Sequence, residues 1–342
     1  MRIAIHDNKA GFTNRWVKYC KKHSIDFVLI DIFSSNAINE LEDCDALFWH
    51  LSHEKFNDGL VGMGLMSALE TKGLYVFPSP AQLWHFDDKL AQKYFFELHG
   101  FPIPKTDVFF NKTEAQEYLS RAKFPIIGKL RRGSASSNVF LIESASKGKA
   151  LVNKAFSKGF PLYNLSNRYK DKLYKSKGLK EKSGVLLKWI YRHFFPPAYS
   201  KKSARENGYF MFQEFIPNNG EDIRVAVVGD RAVALKRKVR SGDFRASGSG
   251  VLDFPNDQLD KTYIDLAFQI VDKLGVSSMG VDFIESIEGE IKVIEMSFGF
   301  PSENFLDGSE GSWNRNLEFK KEPIRLQEWM MEQALKSRPK IK

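Results

Sequence analysis

Short apolar runs separated by amphipathic stretches open the chain. Arg2 to His6, Asp26 to Ile32, Ala46 to Trp49 and Gly73 to Phe77 have strand composition, and Asn14 to His23 has helical spacing. Pro78-Ser79-Pro80 closes the fourth run. This βαβ rhythm predicts a small parallel-sheet domain over residues 1–85. Ser79 to Thr106 then reads as a capped helix holding Asp87, Asp88 and Lys89, ending at Gly100 and followed by the extended Phe101-Pro102-Ile103-Pro104. A helical stretch around Lys112 to Ala122 precedes Phe124 to Leu130, an apolar strand with Lys129 near its end. That strand runs into a Gly/Ser loop from Arg131 to Asn138. Such a loop offers backbone N–H groups that can wrap phosphate oxygens, with Lys129 adding charge; a surface turn is the plainer alternative.

The second half alternates differently. Tyr209 to Ile216, Asp222 to Val228 and Ala232 to Arg237 read as strands, the last two joined by a hairpin turn at Gly229-Asp230. Their alternation of charged and β-branched residues predicts a half-open antiparallel sheet with one face in a cleft, Arg224 and Lys236 both pointing into it. A loop from Ser241 to Gly250 carries Arg245 among small residues, and Asp260 to Leu274 has the spacing of an amphipathic helix. Gly280 to Phe300 is a second hairpin: a strand with Asp282, a polar turn through Glu288-Gly289-Glu290, and a strand reaching Glu295. Facing carboxylates on such a hairpin either share a proton or hold a cation, because two unscreened acids at close range repel. A solvated hairpin with ordinary surface acids is the alternative. A final helix is expected around Arg325 to Leu335.

Composition sharpens this picture in three places. With 342 residues, two or three subdomains are expected. The net charge of +9 favours anionic partners without choosing among them. Cys20 and Cys44 lack metal-type spacing and suit a reducing cytoplasm, and neither a signal peptide nor a membrane-spanning run is expected. Asn164 to Asn207 is dense in lysine, arginine and aromatics and reads as an insertion. It is either a docking surface for a membrane face or an anionic carrier, or a solvated basic helix whose aromatics pack on its neighbour. No RNP, helix-turn-helix or zinc pattern accompanies it, which disfavours nucleic acid, and no GxGxxG follows the first strand.

The order of these pieces resembles the ATP-grasp superfamily, especially the glutathione synthetase and ribosomal-protein glutamate ligase branch. They run helix with lysine, strand with lysine plus Gly/Ser loop, QEFI, DIR, FRASGSG, then acids on a hairpin. The resemblance covers about residues 85 to 300. It implies an α/β (α+β) chain with an ATP-grasp fold: an N-terminal parallel-sheet pre-ATP-grasp domain (1–85) and two α+β subdomains enclosing ATP. These would span 86–216, with the insertion at about 160–207, and 217–342. It further implies ligation of a carboxylate to an amine or other nucleophile through an acyl phosphate, with ATP and two magnesium ions, manganese being the alternative ion. Lys129 and Lys89 would contact phosphates, and Gly133 to Asn138, with Ser134 and Ser136, would form a lid. The Glu214 and Phe215 backbone would bind adenine and Asp222 the ribose. Arg245 would approach the γ-phosphate beside Ser247, Arg224 and Lys236 would bind phosphate or substrate carboxylate, and Asp282 and Glu295 would bind magnesium.

Two positions depart from those relatives. Ser297 stands where they carry a metal-binding asparagine, and Ser247 where they carry asparagine in the arginine loop. The RASGSG and EMSFGF variants resemble a branch associated with cell-surface polysaccharide biosynthesis. That implies small-molecule or glycan-linked substrates, a cytoplasmic protein at most peripheral to the inner membrane face, and admits a homodimer. Trp313, Asn314 and Asn316 are expected near the end of the acidic hairpin, facing a sugar or acceptor, with ordinary tail packing as the alternative. A nucleotide-binding scaffold or regulatory protein without ligase chemistry is the competing function.

Overall fold

The computed structural model describes residues 1–8, 11–133, 138–162, 169, 173, 176, 178–196, 198–239 and 251–337. Its first sheet contains β1 (Ile3–His6), β2 (Phe27–Ile30), β3 (Ala46–Phe48) and β4 (Tyr75–Phe77), in the order β2-β1-β3-β4 and wholly parallel. Helices α1 (Thr13–Lys22), α2 (Ala37–Glu40) and α3 (Phe56–Thr71) connect these strands. α1 buries Trp16, Tyr19 and Cys20 at helical spacing and leaves its lysines outside. α3 escaped the sequence reading because apolar residues surround it, leaving no stripe for periodicity to detect; it buries Gly62, Met66 and Leu69.

The single helix expected from Ser79 is two helices, α4 (Pro80–Leu83) and α5 (Lys89–Leu98). Asp87 has a left-handed backbone (φ 51°), which ends any continuous helix there. The Asp88 carboxylate caps α5, accepting from the Leu90 and Ala91 N–H groups at 3.1 and 3.0 Å. Neither aspartate is therefore helical, and Lys89 is the first residue of α5.

The central sheet contains β5 (Thr106–Phe109), β6 (Ile126–Lys129), β7 (Val139–Ile142) and β8 (Phe210–Glu214), ordered β5-β8-β6-β7 and antiparallel. It is backed by α6 (Lys112–Arg121) and α7 (Ala145–Ala155). Between α7 and β8 lie α8 (Leu179–Phe194) and α9 (Ala198–Lys202).

The C-terminal sheet is built from β9 (Glu221–Val228), β10 (Arg231–Lys238), β11 (Leu252–Asp253), β12 (Ser278–Glu285), β13 (Ile291–Ser297), β14 (Gly311–Trp313) and β15 (Phe319–Lys321). The order is β13-β12-β9-β10-β14-β15, with β11 on β10. α10 (Lys261–Leu274) and α11 (Leu326–Lys336) cover it. α10 buries six residues, among them Tyr263, Ile264, Ala267 and Phe268, and ends at Gly275 in the left-handed conformation. The tail does not reach the acidic hairpin. β14 pairs with β10, Trp313 opposite Ala232, so β12, β9 and β10 separate it from β13. Trp313 is buried and Asn314 bonds Glu318 within its own turn, which is the packing alternative.

The N-terminal and C-terminal sheets share one continuous core, whereas the central sheet has its own around Leu119, Ile126, Ile142, Phe210 and Phe212. The seam between these two cores is where the largest set of expected site residues converges. No helix among the described residues is long and apolar enough to cross a membrane.

Candidate active site

An open cleft lies along that seam. Its apolar lining includes Ile127, Val139, Phe215, Ile216, Ile284 and Ile294. Lys89, Lys129, Asp222, Arg237, Asp282 and Glu295 supply charge. The stretch Gln213 to Ile216 also lines it, beyond the end of β8.

Lys129 reaches the cleft because β6 ends there. Among the described residues its ammonium has no hydrogen-bond partner, and burial together with the nearby Lys89 pushes it down to about 8. Lys89 is set differently. One turn along α5, the buried Gln92 side chain bonds both backbone groups of Met296, accepting its N–H at 3.1 Å and donating to its carbonyl at 2.8 Å. That clamp fixes α5 against β13 and puts Lys89 Nζ 3.4 Å from Glu295 Oε1 and 3.1 Å from the Gly133 carbonyl. Burial disfavours the Lys89 charge, but Glu295 and Asp87 outweigh it and raise the ammonium above its ordinary value.

The acidic pair stands as expected, opposite each other, but only because of an irregularity. From the turn outward Glu285 pairs with Ile291 and Phe283 with Val293; Ile294 is then an extra residue, and Asp282 pairs with Glu295. A regular ladder would have put Glu295 on the other face. Asp282 accepts three bonds from arginines of the same sheet. Arg224 grips it through two bonds of 2.6 Å, and Arg237 donates a third at 2.8 Å. Burial works against the Asp282 charge, yet the two guanidiniums hold the carboxyl well below the usual range. Arg237 also binds Asp222 through both oxygens, at 2.5 and 2.7 Å, while burial pushes the Asp222 carboxyl up.

Lys236 requires correction. The two-residue turn pairs Val228 with Arg231, hence Arg224 with Leu235, Asp222 with Arg237 and Lys236 with Ile223. Lys236 therefore emerges on the face opposite Arg224 and bonds Glu221 at 2.9 Å. Arg237 is the cation the sequence reading missed, and the signal was present: the turn position alone fixes this register. Asp87 was also missed; its carboxylate accepts the Gly133 N–H at 3.1 Å and so holds the start of the Gly/Ser loop. A second anchor acts beside it. Glu206, buried, accepts from Arg132 at 2.6 Å and from the Tyr209 hydroxyl, which in turn accepts the Arg131 N–H at 2.6 Å.

The other expected residues divide. The Glu214 N–H is donated to the Lys105 carbonyl at 2.9 Å, and both Glu214 and Phe215 line the cleft. Gly133 touches Lys89 rather than the cleft, and Arg224 acts through Asp282. The Ser297 hydroxyl accepts the Gly299 N–H at 3.2 Å and does not line the cleft. Ser134, Ser136, Arg245 and Ser247 lie outside the described residues.

Among the described residues no cluster of three His, Cys, Asp or Glu side chains is arranged to hold a metal alone. Magnesium needs no such cluster, since it keeps waters and takes one or two carboxylates plus substrate phosphates. Asp282 and Glu295 fit that demand. A carboxylate offers about four lone-pair sites; Asp282 has used three, while among the described residues Glu295 bonds Lys89 alone.

Residues 200–305 match the RimK-like ATP-grasp domain. A probable alpha-L-glutamate ligase of Cellvibrio japonicus (strain Ueda107) is 23% identical over 334 residues, covering 93% of this chain and 92% of that protein. A RiPP-associated ATP-grasp ligase of Chryseobacterium gregarium, solved with ADP and a leader and core peptide, superposes with a TM-score of 0.57 at 15% identity. It covers 99% of this chain and 97% of its own. The biotin carboxylase domain of the Hydrogenobacter thermophilus 2-oxoglutarate carboxylase, solved with MgADP and bicarbonate, gives 0.62 at 13% identity, covering 99% and 70%. Together with a cleft between a central antiparallel sheet and a C-terminal sheet, these likenesses identify the ATP-grasp fold, of which residues 200–305 form a RimK-like domain.

Proposed function

We propose that the protein uses ATP and magnesium to join a carboxylate to an amine through an acyl phosphate, releasing ADP. One observation carries the reading: Lys89 at the start of α5, Lys129 at the end of β6 and two hairpin carboxylates meet in a single cleft that also has an apolar lining. The apolar lining and the Phe215 backbone take the adenine, and Asp222 accepts from the ribose through lone pairs not used by Arg237. Lys129 and Lys89 neutralise phosphate oxygens. Glu295, with the remaining site on Asp282, holds magnesium, which supplies charge neutralisation at the phosphates when bound. A substrate carboxylate oxygen bonds the γ-phosphorus as its bond to the bridging oxygen breaks and ADP leaves. The amine then attacks the acyl carbon, phosphate departs, and the amine proton passes to solvent.

The finer reading is an amino acid as the amine, glutamate first by likeness to the Cellvibrio relative, and a small-molecule or glycan-linked carboxylate as acceptor. The test is substrate-dependent ADP release with and without magnesium, across amino acids and sugar acids. Glu295→Ala should lose about a hundredfold or more in turnover while keeping its fold; unchanged turnover removes the metal assignment. A second reading, a nucleotide-binding regulator, is favoured by the three guanidinium bonds that already occupy Asp282. It predicts ATP binding with no substrate-dependent ADP release.

A further inference from the structure

Among the described helices of ten or more residues, α8 alone buries no residue. Its two sides differ. Val185 and Trp189, one turn apart, are half-buried, and the Trp189 ring lies 5.5 Å from that of Tyr169. Leu179, Leu186, Leu187, Ile190 and Phe194 fall in a separate arc of about 100° at helical spacing. These five are between 44% and 87% exposed. Lys182 and His193 border one margin of that arc and Lys180 the other. Across the helix Lys180, Lys182, Lys188 and Arg192 outnumber the single acid, Glu181.

A hydrocarbon stripe with cations at its margins has a specific physical complement. Lysine stems extend along the apolar surface while their ammonium groups reach outward, so at a bilayer the stripe enters the acyl boundary and the charges meet lipid phosphates. Nucleic acid would satisfy the lysines but not the stripe. A second copy packed stripe to stripe would satisfy the leucines but leave the surplus of cations on both helices uncompensated. We propose that α8 is an interfacial anchor that lays its Leu/Ile/Phe face on an anionic membrane surface. At roughly 1.5 Å per residue it is about 24 Å long, sufficient for a peripheral attachment lying in the plane of the interface. This proposal does not depend on the ligase reading, because its test reads attachment rather than turnover.

The full-length protein is sedimented with vesicles of phosphatidylcholine alone or with about one third phosphatidylglycerol. Partitioning onto the anionic vesicles should be about tenfold or more stronger than onto neutral ones and should weaken with salt. Leu187→Glu/Phe194→Glu should lower it by about tenfold or more, and Lys180→Gln/Lys182→Gln by about tenfold. All four positions are exposed, so the unfolding midpoint should not move; Leu186→Ser/Ile190→Ser repeats the test without adding charge. Absence of wild-type binding to anionic vesicles, or equal binding of the Leu187/Phe194 variant, overturns the proposal. Self-association that the same variant abolishes, without vesicle binding, also overturns it and assigns the face to a second copy.

Discussion

On the C-terminal side of the cleft every buried charge described has a counter-charge in contact: Asp282 with Arg224 and Arg237, and Asp222 with Arg237. On the central side Lys129 points into the same space with no hydrogen-bond partner among the described residues, pushed down to about 8 by burial and Lys89. The first arrangement is a preformed network that the fold needs, since removing one member strands the others in a low dielectric. The second is a cost the fold carries for a ligand, because a half-buried cation without a counter-charge in contact is stabilised when an anion arrives. Charge removal should therefore damage stability on one wall and binding on the other.

The largest effect should come from Asp282→Asn. It leaves two buried guanidiniums short of a carboxylate and is expected to cost about 3–5 kcal/mol of unfolding free energy, measured by denaturant titration. Retained stability would mean the network is not preformed. Lys129→Gln should do the opposite: nucleotide affinity falls about ten- to a hundredfold by calorimetry, while unfolding free energy is unchanged or rises. Gln92→Ala, which removes the clamp on Met296, should cost about 1–3 kcal/mol and raise the KM for ATP through Lys89 without abolishing turnover. A mirror-image change in kcat alone would show that Gln92 does not position Lys89.

Acidity separates the walls again. The folded value for Lys129 lies below the ordinary 10.5, so between about 8 and 10.5 the unfolded chain binds more protons and the nucleotide-free fold gains stability as pH rises. Nucleotide affinity should move the other way, falling by up to the factor of the Lys129→Gln variant as pH passes 8, and Lys129→Arg should flatten that profile. Asp282, held well below the usual range, contributes nothing to change in this window. The smallest effect is reserved for Lys236→Ala. Its partly exposed pair with Glu221 is worth less than about 1 kcal/mol, and both stability and turnover should stay within about twofold to fivefold of the parent.

Local pattern settled a good deal before any tertiary contact was known. The parallel rhythm of the first 85 residues, the hairpin turn at Gly229-Asp230 and the hairpin that carries Asp282 and Glu295 all reside in spacing that neighbouring residues impose on each other. Even Arg237 was legible, since a two-residue turn dictates which residues stand across from one another. Other features are not local. α3 is apolar all round, so only burial reveals its inner face; the break before Lys89 depends on Asp87 meeting Gly133, 46 residues away. The bulge at Ile294 carries no marker in the chain, yet without it Glu295 would face away from Asp282. The residue types needed for the chemistry were thus written in order along the chain. Which of their charges would be cancelled and which left waiting was decided by strand neighbours distant in sequence, because counter-charges act through space and not along the backbone.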